Sequence, residues 1–198
     1  GVCVTPVMLT VLVIDESRSR AGEICAGLAL AGYQVAAILA GSENLTAEVE
    51  KLQPDVILID TDSPSRDTLE HLATMNKDMP RPVVIFTLED GRDNIRDAVK
   101  AGVSAYIIDG LDPKRIKPIV EVARARFEES QALRRELDEI SKKLTDRKLV
   151  DKAKGVLMKA RGLDEDAAYH AMRKLAMERG QTMAKVARDV IDMARVLL

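Results

Sequence analysis

At 198 residues the chain can hold one sizeable domain and a small one, and its hydrophobic content of 46% with only two Phe, three Tyr and no Trp makes its cores aliphatic. The net charge of -2 hides an asymmetry: residues 1–118 hold 12 Lys+Arg against 18 Asp+Glu, and residues 119–198 hold 18 against 14. An acidic front and a basic rear suit different partners, but so mild a basic excess does not by itself establish nucleic-acid binding. Cys3 and Cys25 are far apart and two His are too few for a zinc pattern, which leaves idle thiols in a reducing cytosol. With no secretory signal and no run long enough to span a bilayer, a cytoplasmic protein without a membrane partner is expected.

In chain order, short apolar runs at 9–14, 34–39, 56–59, 83–86 and 105–108 read as strands. Helical patterns at 18–31, 45–53, 68–76 and 92–101 lie between them. Strict alternation of strand and helix predicts a five-stranded parallel sheet covered on both faces, a flavodoxin-like α/β domain over residues 9–118. Functional residues of such sheets gather beyond the carboxyl ends of the strands. There the sequence places Asp15 and Glu16 after the first strand, Asp60 after the third, Thr87 at the end of the fourth and Asp109 after the fifth. Asp15, Glu16 and Asp60 are oxygen donors of the kind that suits Mg²⁺, so this ion is a conditional ligand, though no cofactor is required.

The strings VLVIDES (11–17), PDVILIDTDSP (54–64), PVVIFT (82–87) and AGVSAYIIDG (101–110) resemble a response-regulator receiver domain. The resemblance implies a phosphoacceptor at Asp60, a metal pair at Asp15 and Glu16, and a switch hydroxyl at Thr87. Asp109 stands where receivers carry a lysine. Losing that cation removes a charge-assisted contact to a phosphoryl group and adds carboxylate repulsion. The pocket is therefore read as structural, and control by phosphorylation is not expected.

Residues 119–145 continue as a helix in which Ala123, Arg126, Ser130, Leu133, Leu137, Ile140 and Leu144 recur at three- and four-residue steps. This connector reads as a coiled-coil seam for a homodimer; the competing reading is a helix lying back on the receiver or on its own tail.

Residues 146–198 read as an all-α three-helix domain. On a helix from 148 to 161, Lys148, Lys152, Gly155 and Lys159 form one stripe, and Leu149, Val150, Ala153, Val156, Leu157 and Ala160 gather opposite. A glycine inside a helix costs about 1 kcal/mol relative to Ala, so Gly155 calls for a reason. Close approach of a sugar-phosphate backbone is one reading, and tight packing against a neighbouring helix is the other. Gly162 ends this helix and Asp164 caps the next, whose buried face is Ala168, Ala171, Met172 and Leu175. Arg179–Gln181 makes the turn and Thr182 caps a third helix with Met183, Val186, Ala187, Val190, Ile191 and Ala194 inward. Met158, Met172, Met177 and Met183 read as core filler. Tyr169 either stacks on an unpaired base or lids the core.

The pairs and strings Asp146-Arg147, AKG (153–155), Leu157-Met158, Asp164-Glu165, Ala168-Tyr169, Arg173 and Ala176-Met177 resemble the ANTAR domain of the AmiR and NasT antitermination regulators. The resemblance implies a non-enzymatic RNA-binding protein that grips hairpins in leader transcripts and lets transcription pass a terminator. Its expected RNA contacts are Lys148, Lys152, Lys154, Lys159, Arg173 and Lys174 to phosphates, Gly155 for close approach and Tyr169 for stacking. NasT-type regulators of nitrate and nitrite assimilation share the departure at Asp109, and the likeness implies a ligand-sensing partner protein that sequesters and releases the regulator. The alternative is a phosphorylation-controlled regulator that binds DNA through a C-terminal helix-turn-helix, with Gly180 at the turn and Lys185 and Arg188 in the major groove.

Overall fold

The computed structural model describes residues 8–17, 20–88, 91–108 and 110–197; Cys3 and Asp109 lie outside the described residues. Five strands, β1 (Thr10–Asp15), β2 (Gln34–Leu39), β3 (Val56–Asp60), β4 (Val83–Thr87) and β5 (Ala105–Ile108), alternate with α1 (Ala21–Leu30), α2 (Leu45–Leu52), α3 (Arg66–Asp78) and α4 (Arg92–Lys100). All neighbours pair in parallel in the order β2-β1-β3-β4-β5. This is the order of a flavodoxin-like doubly wound sheet, with its switch point between β1 and β3.

The sheet is buried on both faces because its central strands carry unbroken apolar runs up to their last residue, and their alternation sends the residues to two separate cores. Leu12, Ile14, Ile57, Ile59, Val83 and Ile85 pack with Leu45, Val49, Leu72, Met75 and Ala98 of α2, α3 and α4. Val11, Val13, Val56, Leu58, Val84 and Phe86 pack on the other face with Ile24, Leu28, Ile116, Val120 and Ala123. Burying one such Leu or Ile contributes about 1.5–3 kcal/mol, so the two layers fix the strand register firmly. The ladder runs one residue further than the apolar runs do. Asp15 pairs opposite Asp60 and Thr87 opposite Ile108, because the backbone pairing continues whatever the side chain.

The next helix, α5, runs from Ile116 to Arg161 without a break, after a short 3-10 turn at Pro113–Arg115. The boundary expected at residue 119 is thus corrected. Val120 and Ala123 are fully buried in the receiver core, so the first turns of the expected connector are the fifth helix of the α/β domain. The reading in which the helix lies back on the receiver holds for this part. Beyond it Leu133, Leu137, Ile140 and Leu144 are about half exposed.

The chain divides into two compact units at residues 131/132. In the rear unit the last turns of α5 pack with α6 (Glu165–Arg179) and α7 (Met183–Leu197). Ala153, Met172, Ala176, Val186, Ala187 and Ile191 form its core, with Leu149, Val150, Leu157, Leu175, Met183 and Val190 partly buried around it. The expected caps are in place: the Asp164 carboxylate accepts from the Ala167 amide at 2.7 Å, and the Thr182 hydroxyl from the Lys185 amide at 3.1 Å. Gly162 and Gly180 take positive φ of 66° and 60°, where a side chain would be strained, and so end α5 and α6. Four core expectations are corrected: Ala160, Ala171, Met158 and Met177 are exposed, since a three-helix core covers a narrower arc of each helix than the apolar pattern suggests. Among the described residues, no helix is long and apolar enough to cross a membrane.

Candidate nucleic-acid interface and receiver pocket

The basic stripe on α5 is assembled as a surface. Lys148, Lys152, Gly155 and Lys159 are all exposed, and the three lysines have no hydrogen-bond or ion-pair partner among the described residues. At position 155 a Cβ would meet no neighbouring atom within 4 Å. Gly155 is not explained by helix packing against any of the described residues. It leaves open space on a helix face that also carries three exposed lysines.

Lys154 is a correction. Its ammonium lies 3.0 Å from Glu165 Oε1 and 3.2 Å from Asp151 Oδ1, and its side chain is only 15% exposed. Those hydrogen bonds, to Glu165 first and Asp151 second, push its pKa up. About 100° around the helix from Gly155, this lysine lies off the exposed stripe and toward the start of α6, where its ion pair bridges the two helices.

Arg173 and Lys174 line a shallow groove on α6 with His170, Met177 and Glu178. Arg173 is exposed and unpaired among the described residues, whereas Lys174 reaches Glu178 only at 4.0 Å. Tyr169 stands outside the rear core, 38% exposed, with its ring set edgewise against His170 at a centroid distance of 6.0 Å. The lid reading of Tyr169 is not what the packing shows. Of the residues expected to face DNA, Lys185 is bound to Asp189 at 2.9 Å, a pairing one turn apart on α7.

At the carboxyl ends of the receiver strands, Asp60 and Asp15 are buried, as are Thr61 and Thr87. Ser17 Oγ lies 2.8 Å from Asp15 Oδ1 and 3.0 Å from Asp60 Oδ2 and can donate its one proton to either. Burial pushes the Asp60 pKa up, aided by the nearby charges of Asp15 and Asp62, while the Ser17 hydrogen bond and the Arg20 cation pull it down. Among the described residues, Asp60 Oδ1 is buried without a partner.

The expected metal set is not gathered here. The Glu16 carboxylate is taken by the Thr68 hydroxyl at 2.8 Å, and Thr68 in turn bonds Ser65 across the start of α3. Among the described residues no three His, Cys, Asp or Glu side chains come together as a metal site. Thr87, expected as the switch hydroxyl, donates to the Asp62 carbonyl at 2.9 Å. The residue that sequence reasoning missed is Arg20, whose Nε lies 3.3 Å from Asp60 Oδ2 and whose Nη2 lies 3.6 Å from Asp62 Oδ1. The only sequence signal for it was indirect: a buried carboxylate at 60 with Asp109 in the lysine position needs a cation from elsewhere.

Comparison with known proteins agrees with both halves. Residues 11–121 match the response regulator receiver domain, and residues 138–191 match the ANTAR domain. The transcriptional regulatory protein PdtaR of Mycobacterium tuberculosis is 29% identical over 182 residues, covering 92% of this chain and 89% of that protein. The nitrate regulatory protein of Klebsiella oxytoca is 37% identical over 83 residues, 42% of this chain and 21% of that protein. A CheY-like receiver domain from Methanospirillum hungatei superposes with a TM-score of 0.54 at 21% identity, covering 63% of this chain and 99% of the other, which establishes the receiver fold. With the receiver match spanning more than half of its length and the ANTAR match following it, the chain belongs to the response regulator receiver family and is an ANTAR-domain response regulator, one of a family of non-enzymatic regulators.

Proposed function

We propose that this protein is a cytoplasmic RNA-binding transcription antiterminator whose rear domain grips hairpins in leader transcripts and so allows readthrough of a terminator. The observation that carries the reading is the open space at Gly155 on the helix face of Lys148, Lys152 and Lys159, whose ammonium groups have no partner among the described residues. A backbone that comes close to a helix needs a position without a side chain, and a polyanion needs cations not already neutralised by the protein's own acids. Arg173 and Lys174 add phosphate contacts, and Tyr169, exposed beside them on α6, offers a face for an unstacked base.

The domains proposed are a receiver over 9–118, continued by the first turns of α5, a connector to 145, and an RNA-binding domain from 146 to 198. Leu133, Leu137, Ile140 and Leu144 make an apolar stripe along the connector, with Arg134, Arg135, Glu136, Asp138 and Glu139 beside it. A second copy of the same helix, with both charge signs next to the seam, is the natural cover. The dimer so formed sets the spacing of two RNA-binding ends, and sedimentation reads it. The likeness to the nitrate regulatory protein makes nitrate or nitrite assimilation genes the first targets to examine, and a ligand-sensing protein the first partner.

Competition between hairpin RNA and duplex DNA of equal charge tests the reading. Hairpin leaders selected from the host's own transcripts should bind more tightly than duplex at the same salt. A preference for duplex, lost on replacing Arg188, would establish the helix-turn-helix alternative instead. In a transcription readthrough assay Asp60→Asn should leave RNA-dependent readthrough intact; readthrough lost with RNA binding retained would show control through that carboxylate.

A further inference from the structure

The receiver pocket contains a fully buried carboxylate, and a buried anion must be matched by a cation or it is strongly destabilising. Asp60 has 0% exposure, and the lysine position of the family is filled by Asp109. Receivers meet the same need with a divalent ion as well, but here one oxygen of Glu16 is engaged by the Thr68 hydroxyl. What stands at Asp60 is the guanidinium of Arg20, 3.3 Å from Oδ2 and continuing to Asp62 at 3.6 Å, with its side chain 22% exposed.

The geometry points to Arg20 as the built-in cation of this pocket, a positioning residue that takes the place of Mg²⁺ and holds the receiver in one state without metal or phosphoryl group. A guanidinium is suited to the task. It stays charged at any working pH, is less strongly hydrated than an ammonium or a divalent ion, and its planar fork can serve two carboxylates at once. Ser17, shared between Asp15 and Asp60, links the second buried carboxylate to the same arrangement. A divalent ion that takes Asp60 Oδ2 and Glu16 Oε1 has to displace Arg20 and Thr68 from them, so both exchanges oppose it, and only Asp60 Oδ1 is open to it among the described residues. The inference is independent of RNA binding by the rear domain.

Thermal unfolding of the full chain with and without millimolar MgCl₂ tests it, together with Mn²⁺ binding read by the electron paramagnetic resonance of the free ion. The wild type should show no Mg²⁺-dependent rise in Tm and no Mn²⁺ uptake. Arg20→Gln should have a lower Tm that Mg²⁺ restores, with Mn²⁺ bound at least about tenfold more tightly than by the wild type. A wild type stabilised by Mg²⁺ as much as the variant, or a folded variant with no response to Mg²⁺, overturns the proposal. If Arg20→Gln does not fold, the double variant Arg20→Gln/Asp60→Asn decides. Removing both charges should recover a folded protein, and failure to recover it shows that the Arg20–Asp60 pair is not what the pocket depends on.

Discussion

The two charged regions of this molecule are built in opposite ways. In the receiver pocket the charges are turned inward: Asp60 to Arg20, Glu16 to Thr68, Ser17 to both buried aspartates. On the rear face of α5, three lysines point outward with no acid to meet them among the described residues. A charge satisfied within the fold holds the fold together, whereas one left exposed and unpartnered is available to a ligand. Lys152 and Lys154, two residues apart on one helix, show the contrast at its smallest scale, since only Lys154 is bound by Asp151 and Glu165.

The largest effect should come from emptying the outward region. Replacing Lys148, Lys152 and Lys159 together by Ala should weaken hairpin RNA by on the order of 100-fold, at about 1 kcal/mol per lysine. It should also flatten the slope of log affinity against log salt by about three units. Lys154→Met should lower the Tm, because it unties α6 from α5, yet change RNA affinity less than about twofold. Filter binding across a salt series reads both variants. Equal losses for the triple variant and for Lys154→Met would erase the distinction between the two kinds of charge.

Gly155→Leu sharpens the same contrast with a smaller effect of opposite sign on two readouts. With nothing within 4 Å of the added carbon, the helix should gain about 1 kcal/mol of stability from the better helix former. Leucine also fills that open space, and RNA affinity should fall about tenfold. A rise in stability with unchanged affinity would mean that Gly155 is merely tolerated and that no backbone approaches it.

How far this was legible in the sequence depends on the range of the signal. The parallel sheet and its two covered faces follow from apolar runs such as residues 56–59 and from strict strand–helix alternation, which are local patterns. The caps at Asp164 and Thr182 and the stops at Gly162 and Gly180 are local as well, and they are where the sequence placed them. Partnerships across the chain were not legible. Nothing in the neighbourhood of Arg20 announces Asp60, forty residues on, and the spacing of Lys154 from Glu165 does not fix an ion pair until α5 and α6 are packed. The heptad steps misled at Ala123 for a related reason. An alanine at a seam position also suits a helix against a sheet, and periodicity along one element cannot say which surface it meets.

The smallest predicted effect belongs to the inward class and is read by pH. Tyr33 is 5% exposed, and its hydroxyl donates to Glu121 Oε1 at 3.0 Å, joining the start of β2 to α5 within the receiver. Burial first, and then the bond to Glu121, push its pKa from 10.0 up to about 12. The folded protein therefore keeps the phenolic proton through a range in which the unfolded chain has lost it. The stability this tyrosine contributes is fully present below pH 10 and declines as pH rises toward 12. Tyr33→Phe removes the hydrogen bond and the titrating proton together. Near pH 7 it should cost about 1 kcal/mol, as a lost internal hydrogen bond does. Above pH 10 the gap between wild type and variant should close, because the wild type alone loses the contribution of the phenol. Denaturant unfolding of both proteins across that range gives the difference curve. A gap that stays constant with rising pH would mean that Glu121 and the buried ring do not hold the proton, and that this partnership contributes packing alone.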